Sequence, residues 1–386
     1  MTAKIPSSVW VLGLVSMLMD VSSEMIHSLL PLFLVGPLGA SVSLVGLVEG
    51  LADVTALIVK VVSGLLSDRL GKRKALATFG YGLAAATKPL FALANAYGMV
   101  VAARLLDRVG KGMRGAPRDA LIADITPSSI RGAAFGLRQA LDTVGAVLGP
   151  SLAVVLMLAW ANNFRAVFWV ACVPAVASVA LLVMGVTEPN APTKPEDRPH
   201  LNLDSLRRLG RAFWWVTIFG AVFTLARFSE AFLVLRAQQA GVPLAMTPLV
   251  MVAMSIFYAV SAYPFGKLSD SFDHRKLLAL GLAVLVASDL VLSVDGSWPV
   301  LLCGVALWGI HLGITQGLMA RMVADAAPDD LRGTAFGFFN LASGIAMLCA
   351  SVIAGLLWDH FGASVTFLTG AALSFVSLTA LFFSKK

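Results

Sequence analysis

The chain is built from long apolar runs separated by short polar stretches. The runs fall at about 8–35, 42–66, 75–95, 97–117, 131–158, 163–187, 212–237, 244–266, 277–295, 298–320, 332–357 and 362–383. Each is long enough to cross a hydrocarbon core, which takes about 20 residues as a helix. They are numbered in chain order as spans one to twelve; twelve helices of that minimum length would consume about 240 residues. An even number of spans puts both ends of the chain on one side.

One stretch breaks the rhythm. Glu188 to Arg211 holds Pro189, Pro192, Pro195, Pro199 and nine charged residues, with no apolar run. It reads as a linker, with Leu203–Arg211 a candidate short surface helix. The pattern on either side of it repeats. GLLSDRLGKRK (64–74) returns as GKLSDSFDHRK (266–276), an offset of 202. ADITPSSIRGAAFG (123–136) returns as ADAAPDDLRGTAFG (324–337), an offset of 201. Two motifs in one register predict a duplication with the repeats in the same orientation. The expected organisation is a six-helix bundle at 1–187, a linker at 188–211 and a second six-helix bundle at 212–386.

Composition sharpens the class. Apolar residues make up 58% of the 386 and charged residues 13%, where soluble domains carry about a quarter charged. A soluble enzyme, a disordered chain and a secreted disulfide scaffold are excluded. The net charge of +7 does not point to nucleic acid, because the basic residues sit between apolar runs. They concentrate in loop 2–3 (Arg69, Lys72, Arg73, Lys74), loop 4–5 (Arg118, Arg131), loop 8–9 (Lys267, Arg275, Lys276) and the two ends. The positive-inside rule then places both termini in the cytoplasm. Cys172, Cys303 and Cys349 lie in apolar runs without pairing or metal spacing. The first run carries Asp20 and Glu24, unlike a cleavable signal peptide.

Three motifs carry a family resemblance. Gly64-Leu-Leu-Ser-Asp68-Arg69-Leu-Gly71-Lys72-Arg73-Lys74 resembles the loop 2–3 motif of the major facilitator superfamily at every specified position. Arg108-Val-Gly-Lys111-Gly112 is similar to the family's R-x-x-Q-G in span four, with Lys111 in place of Gln. Gly136, Gly145, Gly149 and Pro150 in span five resemble the motif of the antiporter branch, with Ala153-Val154 where that motif ends in Gly-Gly. The resemblance implies an all-α fold of twelve transmembrane helices in two pseudo-symmetric six-helix bundles. It also implies that spans 1, 4, 7 and 10 line a cavity, 2, 5, 8 and 11 flank it, and 3, 6, 9 and 12 support it. Gly64, Asp68, Arg69, Gly71 and Arg73, with Asp270 and Arg275 of the second copy, are then a cytoplasmic gate. Read from the residues alone, Gly71 suits a tight turn, and Gly145 and Gly149 expose a smooth strip for close helix packing. Pro150 frees one carbonyl.

Ionisable groups at membrane depth are the strongest signal in the residues themselves. A lone charge at the bilayer centre costs about 2.5–3.5 kcal/mol even on insertion scales. The first half carries Asp20, Glu24, Glu49, Asp53, Lys60, Lys88, Arg104, Asp107, Arg108, Lys111, Arg138 and Asp142 within its spans. Facing lipid, the twelve would cost about 30 kcal/mol or more, so most face the bundle interior or pair. Asp20, Glu24 and His27 share one helical face, as do Glu49, Asp53 and Lys60 in span two. So do Arg104, Arg108 and Lys111, and also Arg138, Asp142, Gly145 and Gly149. Spans six and twelve carry no charge in their cores and read as lipid-facing. The second half offers Arg227, Glu230 and His311. Lys88 and Asp289 occupy matching positions, 201 residues apart, in spans three and nine; the pattern gives them no role.

The function these features predict is proton-coupled secondary transport of a small organic molecule by rocker-switch alternating access, with efflux by antiport as the leading form. Asp20, Glu24 and Asp142 are the proton-coupling candidates. Asp53, Arg104, Arg108, Lys111, Arg138, Arg227, Glu230 and His311 are the cavity candidates. Proton-symport uptake of an organic anion is the alternative, with export of a metal or chelate, or lipid transport, behind it. No nucleotide loop, nucleophile motif or cofactor fingerprint appears, so neither an enzyme nor a cofactor is expected. The expected partners are substrate, protons and lipids, and the expected working unit is a monomer in a bacterial-type cytoplasmic membrane.

Overall fold

The computed structural model describes residues 5–187, 208–269, 272–328 and 331–383; the side chains of Asp68, Ser128, Arg332, Phe382 and Phe383 are outside that description. The expected linker therefore lies outside the described residues from 188 to 207, including most of its candidate surface helix. Every described element is a helix.

Eight of the twelve spans form one main helix each, close to the expected limits: Val42–Leu70, Arg73–Leu93, Arg131–Ala159, Phe164–Gly185, His274–Ser293, Trp298–Ala326, Arg332–Phe361 and Ala363–Phe383. Three spans depart from the apolar pattern. Span one is two helices, Ser7–His27 and Leu30–Val35. Pro31 has no N–H for the His27 carbonyl and crowds it, so the helix breaks at Ser28 and Leu29. Span four runs from Tyr97 to Ile125, well past the apolar limit near 117, because charged residues continue the helix beyond the apolar run.

Span seven also divides, into Arg211–Leu225 and Ala231–Gln239. Its sequence holds no proline or glycine at the break. Side chains take over instead: the Ser229 N–H donates to Ser351 Oγ at 3.2 Å, and the Ser229 hydroxyl accepts from the Ala231 N–H at 3.3 Å. Span eight begins with a short 3-10 turn, Leu244–Met246, and continues as Leu249–Leu268. Among the described residues nine helices are long and apolar enough to cross a membrane. Spans three, four and seven fall short of that count because of charge or the break.

The described residues form two compact units. One takes those within Met1–Leu38 and Thr55–Arg198, and the other those within Gly39–Val54 and Pro199–Lys386. The division falls inside the span-two helix rather than at the linker. Residues 39–54 belong with the second unit because glycines let backbones meet there. A Cβ on Gly50 would lie 2.8 Å from Leu348 Cα, and one on Gly355 2.7 Å from Ser43 Cα. Asp359 caps the same helix start, accepting from the Val42 and Ser43 N–H groups at 3.0 and 2.8 Å.

Within each unit the same partners pack. Spans one and five, three and four, one and six, and three and six meet in the first. Spans seven and eleven, nine and ten, and nine and twelve meet in the second. The duplicated sequence thus gives duplicated packing. As expected for lipid-facing helices, span six exposes Val173, Val176 and Met184, and span twelve exposes Phe375 and Val376.

Candidate functional site

The first unit gathers the charged residues of spans one, three, four and five. Span one enters through its contact with span five. A Cβ on Gly145 would sit 2.8 Å from the Met17 carbonyl oxygen and 3.0 Å from Asp20 Cβ. One on Gly149 would sit 2.7 Å from Glu24 Cβ and 2.8 Å from the Val21 carbonyl oxygen. The two glycines therefore seat the backbone of span one at its two carboxylates. Gly136, the first glycine of the same motif, faces open space. Pro150 lies inside an unbroken helix.

Span four supplies the cations. Arg104 and Arg108 are buried and Lys111 is exposed. Arg114, one further step along the same face, reaches Asp20 at 3.8 Å and lies over the Tyr81 ring at 4.8 Å. Arg118 bonds the Ser16 hydroxyl and pairs with Asp119 at 3.0 Å. Arg138 of span five pairs with Asp142 at 2.9 Å and Asp119 at 3.8 Å, and donates to Gln139 at 2.8 Å. Glu24 lies 3.4 Å from His27 Nδ1. Two sets of acids and bases result: Arg114 with Asp20, and Arg118, Asp119, Arg138 and Asp142 in alternation. Such networks hold charge in a bundle at low cost, because each member satisfies another.

Lys88 resolves one puzzle of the sequence. It is buried, with Nζ 2.7 Å from Asp107 Oδ1 and 3.0 Å from Ser23 Oγ. It ties spans one, three and four together. Spans three and four come close enough for this through facing glycines: a Cβ on Gly110 would lie 2.8 Å from the Gly80 carbonyl oxygen.

The remaining candidates lie elsewhere. Asp53 falls in the part of span two that belongs to the second unit. Arg227 and Glu230 stand in the non-helical break of span seven, not on a continuous helical face. His311 is fully buried, its Nδ1–H donating to the Gly281 carbonyl at 2.8 Å and its ring 5.5 Å from Phe223.

At the gate motif, Gly71 has φ +64° and ends the span-two helix, its N–H bonding the Ser67 carbonyl at 3.0 Å. Arg73 pairs with Asp124 and donates to the Ala120 carbonyl at 2.9 Å. Gly64 lies against Ala116, and Arg69 is exposed. In the second copy the Arg275 guanidinium lies 5.7 Å from the Trp215 ring centre. The Asp68 side chain and Asp270 are outside the described residues. Among the described residues no three His, Cys, Asp or Glu side chains gather as a metal site.

Four members of this network were not among the sequence candidates: Arg114, Arg118, Asp119 and Tyr81. Arg114 was findable, since it continues the spacing of Arg104, Arg108 and Lys111. Asp119 and Tyr81 lie on faces that only packing reveals.

Comparison with known proteins matches this architecture. The family model for the Major Facilitator Superfamily matches residues 12–254 and 228–386. An MFS-type transporter of Methanocaldococcus jannaschii is 33% identical, over 98% of this chain and 95% of its own. The quinolone resistance protein NorA of Staphylococcus aureus is 25% identical, over 91% of this chain and 90% of its own. The crystal structure of the nucleoside transporter NupG superimposes with a TM-score of 0.83 at 11% identity, covering 97% of this chain and 100% of that one. The chain belongs to the major facilitator superfamily.

Proposed function

We propose that this protein is a proton-coupled antiporter that exports a small organic compound across the cytoplasmic membrane, with both termini in the cytoplasm. As a member of its family it is a secondary transporter of small molecules and not an enzyme. The observation that carries the finer reading is the seat of Asp20 and Glu24 on Gly145 and Gly149. The antiporter-like glycines of span five and the carboxylates of span one are one contact. A movement of span five against span one changes the surroundings of both acids at once. Two bundles rocking about a midplane site would expose the two acids to one side and then the other. Asp20 then exchanges its partner Arg114 for a proton, and the substrate uses the freed cations of span four. The quinolone resistance protein among the relatives adds support for export. Lys111, exposed where the family motif has a neutral Gln, favours a substrate with an anionic group.

The test uses everted membrane vesicles in which respiration acidifies the lumen, reported by a quenched pH dye. Addition of a quinolone, or of another compound from a small organic library, should release part of the quench in wild-type vesicles. Asp20→Asn should abolish the release while leaving the protein in the membrane. Substrate-driven proton movement in the opposite direction would replace this reading with uptake by symport. A wild-type response surviving unchanged in Asp20→Asn would remove Asp20 from the mechanism.

A further inference from the structure

Lys88 and Asp289 occupy equivalent positions in the two halves, and so do Asp107 and Trp308, each pair 201 residues apart. In the first unit this pair of positions holds a buried ion pair, Lys88 with Asp107 at 2.7 Å. In the second unit the cation has become an acid and the acid has become an indole. The result is a carboxyl group without a counter-charge. Asp289 is fully buried, and among the described residues neither of its oxygens has a hydrogen-bond partner.

The Gly370 backbone and the Phe228 ring lie close to it. The Gly370 backbone of span twelve comes so near that a Cβ there would lie 2.8 Å from Asp289 Oδ2 and 3.1 Å from the Phe228 ring. Phe228 packs against Trp308 with ring centres 5.5 Å apart. The Trp308 Nε1–H and, one turn beyond Gly370, the Ser374 hydroxyl are also buried without partners among the described residues.

Of the charged groups on the surrounding elements, Arg236 and the Nδ1 of His311 are engaged elsewhere. His311 of span ten donates to Gly281, two turns along span nine. Arg236 donates to the Leu292 and Val294 carbonyls at 2.9 and 2.8 Å and pairs with Asp295 at 2.9 Å. Arg227 and Glu230 flank Phe228 in the break of span seven. Span twelve has no ionisable residue between Ala363 and Leu381, and span nine has none between Lys276 and Asp289.

An ionised carboxylate buried there would have no counter-charge and no hydrogen-bond partner among the described residues. A sodium ion would need several oxygen ligands. A proton from water, attached to one carboxylate oxygen, satisfies the site with no further ligand. We propose that Asp289 is a proton-binding site of the second unit, separate from the carboxylates of spans one and five. It holds its proton while spans nine, ten and twelve are packed as described and exchanges it with water when they part. The inference does not depend on the direction of transport.

Infrared spectroscopy of the full chain in lipid tests it without a known substrate. The wild-type protein at pH 6 should show a carboxylic-acid C=O stretch that is lost in Asp289→Asn. Asp289→Glu should move that band rather than remove it, and serves as the comparison if the Asn variant does not fold. Replacing choline chloride by sodium chloride should leave the band unchanged. Absence of an Asp289-dependent band at pH 6 overturns the proposal. So does a band that sodium suppresses, which would make the site a sodium site.

Discussion

At the scale of single residues, the Lys88–Asp107 pair shows how a buried charge is matched. Lys88 and Asp107 are each almost fully buried and satisfy one another. Removing one leaves the other charged in an apolar interior, so Lys88→Ala or Asp107→Ala should destabilise the protein by about 3–5 kcal/mol. The double change Lys88→Met with Asp107→Leu should cost far less, because no charge is stranded. Unfolding in detergent, followed by circular dichroism, checks the comparison. The sequence placed Lys88 at membrane depth but not its partner, because Asp107 is 19 residues away on another helix. Helical spacing reveals which residues share a face, and it left open which faces meet. Thus Arg138 with Asp142, at i,i+4, was legible as a pair, and Asp20 with Arg114 was legible only as Asp20 with some base of span four.

At the scale of elements, glycine decides where helices touch. The three glycines of the span-five motif look alike in sequence and differ in structure. Gly149→Ala drives a methyl group against Glu24 Cβ and the Val21 carbonyl, and overpacking of that kind costs about 1–3 kcal/mol. Gly136→Ala meets nothing within 4 Å and should be neutral or stabilising by up to about 1 kcal/mol through helix propensity. Melting temperatures of the two variants in detergent distinguish them, and only Gly149→Ala should also lose transport. Gly71→Ala tests the turn: with φ at +64°, a methyl group there should cost about 1–2 kcal/mol in the same melting assay. The twelve apolar runs marked most helix limits within a few residues. Hydropathy did not mark the break in span seven, because it is made by Ser229 and Ser351, residues 122 positions apart. The break in span one, by contrast, was written in Pro31.

At the scale of the whole molecule, duplication is the organising fact. The two halves keep equivalent helix pairs but divide the chemistry unequally. The first unit carries the ion pairs of Asp20, Arg114, Asp119, Arg138 and Asp142, and the second buries Asp289 with no hydrogen-bond partner among the described residues. The repeated motifs made the fold readable from sequence, and one of them holds a recognisable structural device, the Gly71 turn. Their offset also exposed the exchange of Lys88 and Asp107 for Asp289 and Trp308. Coupling of protons to substrate through the first unit is the central claim, and thermodynamic linkage addresses it most directly. A compound found by thermal shift in a ligand library, present at about 100 times its dissociation constant, adds about 2.7 kcal/mol of stability. Its affinity is then measured at pH 6 and pH 8. Competition between proton and substrate predicts weaker binding at pH 6, with the difference abolished in Asp20→Asn. Tighter binding at pH 6 would contradict antiport and mean that proton and substrate travel together.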